Sequence, residues 1–110
     1  MIIYHNPRCS KSRQALAQCR ELGVEPEVVE YLRQPLSLAE LQELLELLGG
    51  DLHIMTREKD LKKESLEPSL ELLASEPRFL QRPILREGEK AAVCRAPEEV
   101  ERFLQQSSLL

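Results

Sequence analysis

The chain has 110 residues, 42% of them apolar, with 15 Lys plus Arg against 19 Asp plus Glu and a net charge of −4. That balance leaves no basic face for general nucleic-acid binding, and no apolar run is long enough to cross a bilayer. Three cysteines, without a CxxC pair or a Cys/His zinc spacing, predict neither a disulfide framework nor a metal site.

In chain order, Ile2 to Tyr4 read as a short strand. Met1 leads straight into it, so no signal peptide and a cytoplasmic location are expected. The polar run His5-Asn6-Pro7-Arg8-Cys9-Ser10-Lys11-Ser12-Arg13 follows, and a helix is predicted from Ser10 to about Leu22, with Gly23 as its C′ residue. Cys9 therefore falls at a strand-to-helix turn. Unpaired backbone N–H groups and the positive end of the helix dipole favour a thiolate there. The same turn also binds an oxyanion. Arg8, Lys11 and Arg13 add positive charge. His5 fits either a direct role or that of a hydrogen-bonded residue holding the loop.

Val24 to Tyr31 read as a second strand, parallel to the first because a helix joins them. Ser37 with Glu40 has capping-box spacing, and Leu38, Leu41, Leu44, Leu45 and Leu48 recur at helical intervals until Gly49-Gly50. A further helical stretch is expected from near Leu52 through Arg57-Glu58-Lys59-Asp60, and another over Ser69 to Ser75 before Pro77. Arg82-Pro83-Ile84-Leu85 and Lys90 to Cys94 read as strands joined by a turn at Glu87-Gly88-Glu89. Pro97 opens a last helix, Glu98 to about Gln105, and Ser107 to Leu110 are expected to fray. Cys19 and Cys94 are expected in the core.

A βαβ unit, a helical insertion over about 37–77 and a ββα unit describe an α/β chain with a mixed sheet and a thioredoxin-like fold, read as one domain over 1–110. In that fold a proline opens the strand facing the cysteine, often through a cis bond, and Pro83 is the candidate.

His5-Asn6-Pro7-x-Cys9-Ser10-x-Ser12-Arg13, Arg82-Pro83-Ile84 and Cys94-Arg95-x-Pro97, in that order, resemble the signatures of the glutaredoxin-coupled arsenate reductase (ArsC) family. The resemblance implies that Cys9 attacks arsenate, glutathione attacks the adduct, and glutaredoxin completes reduction to arsenite. It implies that His5 and Ser12, with Arg13 beside them, stabilise the thiolate, and that three arginines hold the oxyanion. Arg82 and Arg95 match two of these. At the third, the family arginine position aligns with Thr56 and Arg57 is displaced by one. On that alignment the third contact is weakened, and exchanging Thr56 with Arg57 is expected to strengthen arsenate use. The implied partners are arsenate or a similar oxyanion, glutathione as co-substrate and glutaredoxin. A monomer with no bound cofactor, no metal, no nucleic acid and no membrane is expected. Two other readings stay open. One is a regulator of the Spx type that binds RNA polymerase, although such regulators commonly carry CxxC and this chain has Cys9-Ser10-Lys11-Ser12. The other is a glutathione-linked thiol reductase with another acceptor.

Overall fold

The computed structural model describes all 110 residues. Four strands, β1 (Ile2–His5), β2 (Glu27–Glu30), β3 (Ile84–Glu87) and β4 (Lys90–Val93), form one sheet in the order β2-β1-β3-β4. β1 and β2 are parallel, while β1–β3 and β3–β4 are antiparallel. The fold is therefore α/β with a mixed sheet, as the βαβ and ββα readings require.

Successive strand residues point to opposite faces, and this divides the core in two. Ile3 and Leu85 pack on one face with helices α1 (Ser10–Glu21) and α6 (Pro97–Gln106), through Ala15, Cys19, Val100, Phe103 and Leu104. Tyr4 and Ile84 pack on the other face, with Leu41 and Leu44 of α2 (Leu38–Leu47), Met55 of α3 (Leu52–Met55), Leu61 of α4 (Glu58–Lys63) and Leu73 of α5 (Leu70–Ser75). The helical insertion thus covers one whole face of the sheet.

Local signals account for the element ends. Ser37 and Glu40 make the reciprocal capping box that opens α2. Gly23, at φ +86°, ends α1 in the left-handed conformation that L side chains resist. Gly88, at φ +58°, turns the β3–β4 hairpin.

Three expectations need correction. β2 begins at Glu27 instead of Val24, because the Val24 N–H is taken by the Cys19 carbonyl at the end of α1 and Pro26 has no N–H to offer. The helical stretch from Leu52 is not continuous: it breaks at Thr56, which pairs with Leu80 as an isolated antiparallel bridge. There the Arg57 N–H donates to the Phe79 carbonyl and the Gln81 N–H to the Met55 carbonyl, each at 2.8 Å. These long-range bonds override a charge pattern that looked helical. Finally, the C-terminal tail does not fray. The Leu109 N–H donates to the Leu104 carbonyl at 2.9 Å, and its side chain packs against the α1–α6 core.

Candidate active site at the start of α1

Cys9 is the N-cap residue of α1, extended at φ −97° and ψ 121°, and half-buried. Its loop is held from inside. The Cys9 N–H donates to the Asn6 carbonyl at 3.0 Å, and the Arg8 N–H to the Asn6 side-chain oxygen at 2.9 Å. The Asn6 N–H in turn donates to Ser12 Oγ at 3.0 Å. Ser12 is fully buried, and its hydroxyl also hydrogen-bonds His5 Nδ1 at 2.6 Å. Burial lowers the His5 pKa, so the imidazole is held neutral. The polar residues before and after Cys9 thus form one buried network that fixes the thiol at the helix end.

Burial alone pushes the Cys9 thiol up. The Ser12 N–H, the Arg82 guanidinium and the Lys11 N–H outweigh it, and the net displacement is downward. Ser12 therefore acts on the sulfur through its backbone, while its hydroxyl is occupied with the loop. Arg13 is not among the main groups that lower Cys9. Its Nη1 donates to the Pro7 carbonyl at 2.9 Å, bracing the loop, and its charge helps keep His5 neutral. The other thiols move the opposite way. Burial raises Cys19, and burial with the nearby Glu99 pushes Cys94 up to about 12. One thiol in three is activated.

Arg82 reaches Cys9 from the segment that enters β3, and the Arg82–Pro83 peptide bond is cis. Its Nη1 donates to the Arg78 carbonyl at 3.1 Å. Arg95 supports this segment: its Nη1 donates to the Arg82 carbonyl at 2.6 Å and to Gln81 Oε1 at 3.3 Å. Gln81 also accepts from the Arg82 N–H. The candidate residues therefore fall into two joined groups. Cys9, His5, Ser12 and Arg82 are clustered around the thiol. Arg95 and Arg57 line a neighbouring polar recess of about 360 Å³ with Lys59 and Gln81. Gln81 and Arg95 link the two groups. Gln81 carries no sequence signal; its importance lies in two contacts made across the fold. No group of three or more His, Cys, Asp or Glu residues is arranged to hold a metal ion.

The structure changes the expected outcome of exchanging Thr56 with Arg57. Thr56 is buried, with Oγ1 donating to the Leu52 carbonyl at 2.8 Å. Arg57 already faces the recess, paired with Asp60 at 2.7 Å. An arginine at position 56 would have to bury its charge without a partner. The double substitution should cost about 3 kcal/mol of stability, read as a lowered thermal unfolding midpoint. A midpoint equal to that of the parent would contradict the buried placement of Thr56.

The ArsC family model matches residues 4–103. The chain is 43% identical over 108 residues to YfgD of Escherichia coli (strain K12), described as uncharacterised; the match covers 89% of this chain and 91% of that protein. It is 42% identical over 112 residues to the arsenate reductase of Neisseria meningitidis serogroup A, covering 93% of this chain and 96% of the relative. Among solved structures, the arsenate reductase from Vibrio cholerae superimposes with a TM-score of 0.81 at 34% identity, covering 94% of this chain and 96% of that one.

Proposed function

The chain belongs to the ArsC family, and from that premise we propose that it is an arsenate reductase with Cys9 as nucleophile and glutathione with glutaredoxin as reductant. The observation that carries the reading is the single activated thiol, set at a helix N-terminus under an arginine. Relatives about 40% identical that bear the name arsenate reductase support the choice of oxyanion.

The chemistry proceeds from these groups. The Cys9 thiolate attacks the arsenic of a bound arsenate. An S–As bond forms and one As–O bond breaks, the oxygen leaving as water after taking up protons. Arsenic is still pentavalent at this stage. A glutathione thiol displaces a second oxygen as water. A glutaredoxin thiolate then attacks the glutathione sulfur, and the electron pair of that S–As bond passes to arsenic, which becomes trivalent. Glutathione and glutaredoxin depart as a mixed disulfide. Water cleaves the remaining Cys9–As bond, releasing arsenite and the thiol. Arginines suit the tetrahedral anion because each fork donates two hydrogen bonds at once. An external reductant is in keeping with Cys19 and Cys94 both being buried with raised pKa values.

The deciding experiment is a coupled assay with arsenate, glutathione, glutaredoxin, glutathione reductase and NADPH. NADPH consumption should require both arsenate and glutaredoxin. Consumption that ignores either component would sink the proposal.

A further inference from the structure

Tyr31 is the first residue after β2, and its side chain is fully buried. β1 and β2 run parallel with His5 opposite Glu30, so Tyr31 lies level with Asn6, where the Cys9 loop begins. The body of the ring is anchored in the core cluster that also holds Phe79, Leu80 and Ile84, the residues flanking Arg82. The far end of the ring is polar and unanswered. The Tyr31 hydroxyl is buried with no partner in full hydrogen-bond geometry, and the Asn6 side chain lies near enough to act on it as a hydrogen-bonding group. Arg82 Nε is likewise buried without a partner. Arg82, Cys9 and Arg57 are the charged groups that act on this hydroxyl. A buried donor left unpaired is costly, and native proteins retain few of them. Arg82 acts on the Cys9 thiol and Cys9 in turn acts on the Tyr31 hydroxyl, so two buried, unpaired donor atoms belong to residues beside one activated thiol. A tetrahedral oxyanion supplies the missing acceptors.

We propose that Tyr31 is an anion-binding residue of this site, its hydroxyl donating a hydrogen bond to an oxygen of the tetrahedral oxyanion held between Cys9 and Arg82. This deepens the arsenate reading and rests on it. Burial raises the Tyr31 pKa even against the nearby Arg82, so the phenol keeps its proton and remains a donor. It positions the anion and does not supply a proton to it.

The test uses the full-length protein and its Tyr31→Phe variant, which removes only the hydroxyl. Cys9 is alkylated with iodoacetamide in graded arsenate, and the concentration that protects the thiol is measured. Loss of one hydrogen bond to a charged group should weaken protection about tenfold. Without arsenate, the pH midpoint of alkylation should stay where it is, because Tyr31 is not among the groups that lower Cys9. The thermal midpoint of the variant should be no lower than that of the parent, since the lost hydroxyl had no partner. Equal protection in the two proteins overturns the assignment. So does a shift in the alkylation midpoint large enough to explain the loss. Equal protection in a protein that still reduces arsenate removes Tyr31 alone. A parent protein that arsenate neither protects nor enters as substrate removes the arsenate reading as well.

Discussion

Cys9→Ser should reduce arsenate turnover on the order of 10⁴-fold or to background, the scale on which loss of a nucleophile acts. A serine hydroxyl at the same helix end has the same N–H donors and the same Arg82 beside it, but it does not ionise in their company as a thiol does. No second thiol can substitute. Cys19 lies fully buried in α1, and Cys94 is sealed in the same core with its Sγ 3.7 Å from the carbonyls of Ala92 and Glu99. Cys19→Ser therefore makes the informative control. It should lower the thermal midpoint by burying a hydroxyl, at a cost of about 1–3 kcal/mol, and leave turnover of the folded protein intact. The coupled assay checks both variants. Residual turnover in Cys9→Ser within tenfold of the parent would place the chemistry elsewhere.

Arg82→Ala is expected to have the second largest effect, because two separate losses fall on one residue. The first is a charged contact to the developing anion, for which a drop in kcat/KM of about 10²–10³-fold is the usual scale. The second is the downward pull on Cys9. Without the guanidinium the thiol pKa rises, so the thiolate fraction at a given pH falls and the pH–rate curve moves to higher pH. Raising the pH should then recover the part of the loss that comes from protonation. The part that comes from the missing oxyanion contact should persist at every pH. Arg82→Lys should restore part of the pull on Cys9, because its positive charge remains, and little of the oxyanion contact, because an ammonium lacks the two-pronged fork. A pH series of kcat/KM for parent and variants separates the two losses. An unchanged curve in Arg82→Ala would return this arginine to a bracing role through its bonds to Arg78 and Leu80.

The parts of the fold that were legible in the sequence are the locally encoded ones. Ser37 with Glu40 announced α2, Gly23 the end of α1 and Gly88 the hairpin, because each of these signals acts within a few residues. The placement of Cys9 at a helix start was legible for the same reason. What escaped depends on partners far along the chain. The break at Thr56 is made by hydrogen bonds to Phe79 and Gln81, which a run of charged residues does not advertise. Tyr31 looked like the end of a strand. The role proposed for it depends on β2 lying beside β1 and on Arg82, distant in sequence, acting on its hydroxyl. For Arg13, proximity in sequence suggested an effect on the thiol; what the fold adds is its bond to the Pro7 carbonyl, which no local signal announces.

The pairing of Thr56 with Leu80 has a consequence for how the molecule opens. It fastens the strip that carries Arg57 to the strip that carries Arg82, with the Arg57 N–H bound to Phe79 and the Gln81 N–H to Met55. The helices of the insertion and the rim of the polar recess lined by Arg57 and Arg95 consequently belong to one cooperative unit. Fraying of α3 or α4 would loosen the recess without touching Cys9, and an anion gripped from both strips would act as a removable cross-link that tightens the insertion in return. If the recess takes the proposed oxyanion, the local stability of the insertion and the affinity for that anion rise and fall together.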